Sequence, residues 1–106
     1  MTLPSGILVS AMIRRANDSG GFGVVLAKGH PQAGAILLVV SEFGVDYRVL
    51  ERGIGRDGRI ALIDSTPPDD VTGYWRRRRL SDPDLWVIEL TSPDAERFAA
   101  ETILDD

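Results

Sequence analysis

Apolar residues near the start of the chain recur at the spacing of a helix. Within residues 7–16 they include the i, i+4 pairs Leu8 with Met12 and Met12 with Ala16. Alternate positions of the same stretch are also apolar, so a strand competes with the helix as an interpretation. We predict the helix, with Ser5 as its N-cap.

Further along the chain, short runs rich in aliphatic and aromatic residues predict strands. Residues 36–40 are apolar at consecutive positions, which is typical of a central strand covered on both faces. Residues 45–49 alternate between apolar and polar, and residues 59–64 resume a strand pattern after a glycine-rich turn, so the two predict an antiparallel hairpin. The other runs are residues 22–27 and residues 85–90.

Capping signals predict two more helices. Residues 65–70 combine hydroxyl, proline and aspartate side chains, so we expect a helix from about Asp69 to Leu80. A Ser-Pro pair at residues 92–93 precedes the last helix. The resulting order is α-β-β-β-β-α-β-α. We therefore predict an α+β fold: a single domain of residues 1–106, with a mostly antiparallel sheet of about five strands packed by two to three helices.

The composition is that of an ordinary globular domain with an acidic balance. The formal net charge is −4 and the sequence pI about 4.9, which does not suit a protein that coats nucleic acid. Cysteine is absent and histidine occurs once, which excludes disulfide scaffolds, thiol nucleophiles and the usual zinc sets. Neither a secretory signal nor an apolar run of about 18 residues is present. We expect a cytoplasmic protein with no membrane segment, cofactor or metal.

Gly53, Gly55 and Gly58 match the spacing of the dinucleotide-binding fingerprint. That mechanism needs the glycines to open a helix whose N-terminal amides meet the pyrophosphate. The residues after Gly58 have the pattern of a strand instead. We therefore interpret the glycines as a hairpin turn, with nucleotide binding as the alternative.

The second predicted helix carries an aromatic pair followed by four consecutive arginines: Tyr74, Trp75, Arg76, Arg77, Arg78 and Arg79. One interpretation is a helix end where cations complement the dipole, with Trp75 turned inward and Arg79 within reach of its ring. Successive helix positions differ by about 100°, so at least one arginine must point toward the protein. We expect a carboxylate to pair with it.

The other interpretation is a binding surface for an anionic partner. Guanidinium groups beside aromatic rings suit a phosphate group, nucleic acid or an acidic protein surface. We extend the predicted surface to Arg14 and Arg15, provided that the first and second helices lie on one side of the sheet. Binders of single-stranded nucleic acid usually spread such residues over a sheet or groove, so an acidic protein is our preferred partner over nucleic acid.

Charge is unevenly distributed along the chain. Residues 81–106 hold eight acidic residues and one arginine, whereas residues 1–80 hold eleven basic and eight acidic ones. A match between the arginine cluster and the acidic segment would neutralise both, through exposed pairs of about 0–1 kcal/mol each.

His30 lies between Gly29 and Pro31, which indicates an exposed turn histidine. It is also the candidate general base of a small hydrolase or enzyme subunit, the alternative to an interaction module. No Gly-x-Ser-x-Gly nucleophile elbow accompanies it. A carboxylate pair is the other catalytic option, but no sequence spacing indicates which two carboxylates would act together. We therefore assign no catalytic residue.

The predicted strand with Trp86 is strongly apolar, which indicates core packing. Tryptophan is also enriched at interfaces, and an apolar edge strand can pair with a second copy of itself. A homodimer formed by strand pairing is therefore a further expectation.

Several segments together resemble a known family. They are Ser5-Gly6-Ile7, Ile13-Arg14-Arg15, Ala33-Gly34-Ala35-Ile36 and, most specifically, Asp82-Pro83-Asp84-Leu85-Trp86-Val87-Ile88-Glu89. Over nearly its full length the chain is similar to a family of short bacterial proteins catalogued as a domain of unknown function, DUF1491. The resemblance implies a free-standing cytoplasmic bacterial domain with no established activity or cofactor, and it carries over no catalytic residue.

Overall fold

The helical spacing at the start of the chain forms a helix and not the competing strand. A computed structural model describes residues 3–104, so residues 1, 2, 105 and 106 lie outside the described part. The predicted order of elements is confirmed. The elements are α1 (Ser5–Asp18), β1 (Phe22–Ala27), β2 (Ile36–Ser41), β3 (Arg48–Ile54), β4 (Ile60–Asp64), α2 (Val71–Ser81), β5 (Trp86–Thr91) and α3 (Ala95–Leu104).

The five strands form one mixed sheet in the order β1-β5-β2-β3-β4. Three neighbouring pairs are antiparallel, as predicted, whereas β2 and β5 run parallel. The last strand therefore inserts between the first two. Because β5 lies inside the sheet, the strand that carries Trp86 is not an edge strand, and the edges are β1 and β4.

Alternation along β2 gives the sheet two different faces. Leu38 and Val40 belong to a large core with α1 and α3, whereas Leu37 and Val39 point the opposite way, toward α2. Met12 of α1 is fully buried in the large core, but α2 has no buried residue. The domain thus has two helices on one face of the sheet and a more exposed helix on the other.

The ends of two elements differ from the sequence prediction. Pro4, not Ser5, occupies the N-cap of α1, and the Ser5 hydroxyl instead donates a hydrogen bond of 2.6 Å to the carbonyl oxygen of Gly34. The predicted strand around residue 47 begins only at Arg48, because Gly44 and Asp46 have positive φ angles of 82° and 55° that turn the chain before it.

The glycine motif lies in a β-hairpin turn, as predicted. Ile54 of β3 pairs with Ile60 of β4, and the amide of Gly55 donates to the carbonyl oxygen of Arg59 at 2.7 Å. Gly58 has a φ of +79°, a conformation that side chains disfavour. A strand follows these glycines where a dinucleotide site requires a helix, so the motif does not form that site.

Candidate partner-binding surface on α2

Aromatic side chains hold α2 on the sheet. Tyr74 and Trp75 are half-buried against a small apolar cluster that includes Leu37 and Val87 of the two parallel strands. Asp70 caps the helix, because its carboxylate accepts a hydrogen bond of 2.9 Å from the amide of Gly73. One side of α2 is therefore fixed, and the opposite side faces outward.

Arg78 is the arginine that points toward the protein, and its partner is a carboxylate, as predicted. Its two terminal nitrogens donate to the two carboxylate oxygens of Glu51 on β3, at 2.8 and 2.9 Å. Arg78 also donates to the hydroxyl of Tyr74 at 2.9 Å. These hydrogen bonds from Arg78 hold the pKa of Glu51 below its ordinary value, against the opposing effect of burial. The pair ties α2 to β3 of the sheet.

We expect Glu51→Gln to destabilise the protein by about 1–2 kcal/mol at pH 7, between the values for exposed and buried pairs. The pKa of Glu51 is depressed in the folded state, so its stabilisation is present above the ordinary value of 4.5 and is lost as pH falls through the folded value. Urea unfolding at pH 7 and pH 3 measures both free energies. Glu101→Gln, which removes the exposed pair with Arg15, is the control and should cost less. An equal loss at both pH values would contradict the assignment.

Arg79 is also tied down, but not to the predicted partner. Its guanidinium donates to the carbonyl oxygens of Pro83 and Leu85 in the chain that follows the helix. The ring of Trp75 is instead covered by Arg76, whose guanidinium carbon lies 5.6 Å from the ring centre. Arg79 thus stabilises the link between α2 and β5.

The remaining arginines of the cluster form an exposed surface with a residue that the sequence analysis missed. Arg76 and Arg77 are exposed, and neither makes an ion pair within residues 3–104. Leu80 lies one turn further along and is 85% exposed. We call Arg76, Arg77 and Leu80 the outer face of α2, whereas Trp75 lies on the side that packs on the sheet. The i, i+4 spacing of Arg76 and Leu80 was the available signal for this grouping.

Arg14 and Arg15 do not join this surface. They lie on α1, which packs on the opposite face of the sheet, so the condition for one combined surface is not met. Arg15 pairs with Glu101 of α3 at 2.8 Å, and its guanidinium carbon lies 4.5 Å from the ring centre of Phe98. Arg14 is exposed on the same helix.

Within residues 3–104, the carboxylates of the acidic segment pair with other arginines and not with the α2 cluster. The ion pairs of this segment within the described residues are Arg15–Glu101, Arg48–Glu96 and Arg97–Asp94. The carboxylate that binds the cluster, Glu51, comes from β3. The positive charge of the outer face is therefore not neutralised by the acidic segment.

His30 is an exposed loop residue, as predicted, and its ring has a structural role. The ring nitrogen Nδ1 accepts hydrogen bonds from the amides of Gln32 and Ala33 at 3.2 and 3.3 Å. Its backbone carbonyl accepts a hydrogen bond of 2.8 Å from the indole Nε1 of Trp86. The loop thereby fastens the start of β2 to the start of β5.

Three segments of the family resemblance converge at this loop. The amide of His30 donates to the carbonyl oxygen of Asp84, and the amide of Trp86 donates to that of Ala35. The hydroxyl of Ser5 joins α1 to the same loop through its hydrogen bond to the carbonyl oxygen of Gly34. Side chains at Gly29 and Gly34 would both collide with the Asp84 carbonyl oxygen. These residues define a tightly packed joint between α1, β2 and β5.

Carboxylates gather at the other end of the parallel strands, around a cavity of about 300 Å³. Glu42, Asp46 and Glu96 line it, and Glu96 is paired with Arg48 at 2.7 Å. His30 lies at the opposite end of β2, so the structure does not bring the imidazole and these carboxylates together. Within residues 3–104, no group of three or more acidic or histidine side chains could hold a metal ion.

Two helices on one face of a mixed five-stranded sheet and an arginine-rich helix on the other define a small three-layer α+β domain. None of the helices in the described part of the chain is long and apolar enough to cross a bilayer. The chain belongs to the DUF1491 family, described as a protein of unknown function, whose model matches residues 3–100.

Solved structures of similar proteins have the same fold. A crystal structure of a DUF1491 family protein from Caulobacter crescentus CB15 is 32% identical, with a TM-score of 0.77, and the match covers 92% of this chain and 94% of that one. An NMR structure of a DUF1491 family protein from the same bacterium is 34% identical, with a TM-score of 0.73 and coverages of 92% and 93%. A solution structure from A. tumefaciens is 26% identical, with a TM-score of 0.69 and coverages of 87% for both chains. No curated protein matches this chain.

Proposed function

We propose that this protein is a small interaction module that binds an acidic segment of another protein on the outer face of α2. The observation that carries the proposal is the exposed Leu80 beside Arg76 and Arg77, which make no ion pair within the described residues. A partner with carboxylates around one apolar side chain matches this arrangement. Leucine burial would add affinity, and the guanidinium groups would orient the partner.

The two inward arginines prepare the surface for binding. Arg78 is held by Glu51, and Arg79 is held by main-chain oxygens after the helix. Because both bonds restrain α2, Arg76 and Arg77 are presented from a helix that is already ordered. Pre-ordering lowers the entropy lost on binding, and this favours a docking role over that of a solvated helix end.

The local charge favours a protein partner over nucleic acid. Asp69 and Asp70 precede α2, and Asp82 and Asp84 follow it, all of them exposed. These carboxylates would repel a phosphate backbone that extended past either end of the helix. A short acidic segment would contact only the two outward arginines and avoid that repulsion.

The test uses a charge reversal and a matched control. Arg76→Glu with Arg77→Glu should lower partner affinity by at least about tenfold, because attraction becomes repulsion. Arg56→Glu with Arg59→Glu makes the same charge change on the β3–β4 hairpin and should leave binding unchanged. Cross-linked partners are identified by mass spectrometry from nuclease-treated extracts of the native host, and the purified partner is then titrated by calorimetry. Equal affinities for both double variants would refute the proposal, and a capture lost on nuclease treatment would favour nucleic acid.

Self-association is a second candidate, favoured by the β1 edge of the sheet. The strand sequence Phe-Gly-Val-Val-Leu-Ala has no charge and no proline, and Phe22, Val24 and Val25 are each more than 40% exposed. Charged residues and prolines on edge strands usually prevent pairing with another chain. Sedimentation should detect a dimer that Val24→Lys abolishes and Ile60→Lys, on the other edge, does not. A monomer mass at all concentrations would remove this candidate.

A cytoplasmic location is part of the same proposal. Its support is the absence of cysteine from the whole sequence, which is typical of proteins that do not depend on an oxidising compartment.

A further inference from the structure

An apolar cavity of about 430 Å³ lies at the sheet end where β2 begins, away from the outer face of α2. It is bounded by the start of α1, the end of α3, the loop before β2, and β3. Its size falls within the range of small-molecule sites in proteins. The large apolar side chains that line it are Leu3, Leu8, Ile36, Leu85 and Ile103.

Among residues 3–104, two charged residues line this cavity, and one of them is already neutralised. The carboxylate of Glu51 is bound at both oxygens by Arg78. Arg52 is exposed and makes no ion pair or hydrogen bond to another side chain within residues 3–104. The described part of the cavity wall therefore combines an apolar interior with one positive charge that no described carboxylate compensates.

Apolar surface continues beyond Arg52 along the same face of the hairpin. Side chains alternate along β3, so Leu50 lies in the core, Arg52 lies at the cavity and Ile54 lies further out. Ile54 pairs with Ile60 on β4, and the two are 67% and 48% exposed. An elongated apolar molecule would find contacts on both sides of the guanidinium.

The start of α1 does not supply the positive charge. The amides of Ser5 and Gly6 already donate to the carbonyl oxygens of Gln32 and Pro31, at 3.2 and 2.9 Å. The Ser5 hydroxyl donates to Gly34. Recognition of an anion in this cavity thus depends on Arg52.

We propose that this cavity binds a medium-chain aliphatic carboxylate, with the chain among Leu8, Ile36 and Ile103 and the carboxylate on Arg52. A guanidinium group matches a carboxylate in charge and in planar geometry. An alkyl amine would place a second positive charge beside Arg52, and an alkyl alcohol would lose the ion pair.

The experiment titrates ¹⁵N-labelled full-length protein with octanoate, octanol and octylamine below their aggregation limits. Octanoate should shift the amide resonances of Gly34, Ile36 and Arg52 saturably, and the other two should bind at least about tenfold more weakly. Arg52→Gln should lower octanoate affinity by a similar factor. Arg56→Gln, an exposed arginine of the same hairpin outside the cavity, should bind like the wild type.

Each contrary result overturns the proposal. The absence of saturable octanoate shifts would exclude the site, and equal binding of octanol and octanoate would exclude the role of Arg52. Unchanged affinity of Arg52→Gln for octanoate would also exclude the role of Arg52. Ala33→Phe, which fills the cavity from an exposed loop position, should abolish the shifts while the unfolding transition stays cooperative.

Discussion

Gly34→Ala is expected to prevent stable folding. A Cβ atom at this position would lie well under 3.0 Å from the carbonyl oxygen of Asp84 and 2.9 Å from the amide nitrogen of His30. Both are main-chain atoms, and they are hydrogen-bonded to each other at 3.0 Å, so neither can move without opening the joint. We expect a loss of more than about 4 kcal/mol, which is the exceptional range for single substitutions and most of the stability of a small domain.

Gly6→Ala provides the matched control at the same joint. The nearest atom to its added Cβ would be the carbonyl oxygen of Pro31 at 3.5 Å, an ordinary van der Waals distance. We expect a change within about 1 kcal/mol, because alanine also has the better helix propensity. Thermal unfolding followed by circular dichroism compares the two variants. A melting temperature of Gly34→Ala close to that of the wild type would contradict the close packing.

Trp86→Ala should give the second largest loss, about 3–5 kcal/mol. Trp86 is 6% exposed and belongs to the large core, so removal of its ring leaves a cavity beside α1. The carbonyl oxygen of His30 would also lose the hydrogen bond from Nε1. Urea unfolding measured by circular dichroism gives the free energy of unfolding.

Trp86→Phe separates the two contributions to this loss. Phenylalanine keeps most of the apolar contact but cannot donate to His30, so we expect a loss of about 1–2 kcal/mol from the hydrogen bond and the smaller ring. It also leaves Trp75 as the single tryptophan, and its fluorescence then reports on α2. Equal losses for alanine and phenylalanine would mean that the ring itself adds nothing to the core.

The elements of the fold could be predicted from sequence because each depends on local periodicity and capping. The order of the strands could not. Residues 36–40 and residues 85–88 are both apolar at consecutive positions, which indicates two covered faces for each but not which strands are neighbours. The parallel pairing of β2 with β5 depends on contacts between segments about 50 residues apart, and local sequence patterns do not predict such contacts.

The candidate site was predicted in part. The features that depend on neighbouring residues of the helix were predicted, and those that depend on residues distant in sequence were not. Helix geometry alone required one inward arginine, and Arg78 takes that place. Its partner, Glu51, lies on a distant strand, so the acidic segment was a reasonable expectation and was wrong. The exposure of Leu80 depends on where α2 sits above the sheet, which only the tertiary structure fixes.

The insertion of β5 between β1 and β2 sets the order in which this chain can be completed during synthesis. The first two strands are made early, yet they are never neighbours, because the place between them belongs to a strand that emerges last. A nascent chain that ends before Trp86 therefore leaves β2 with one unpaired edge and β1 without its only partner. Until β5 has inserted, the chain exposes apolar strands that can aggregate or bind chaperones.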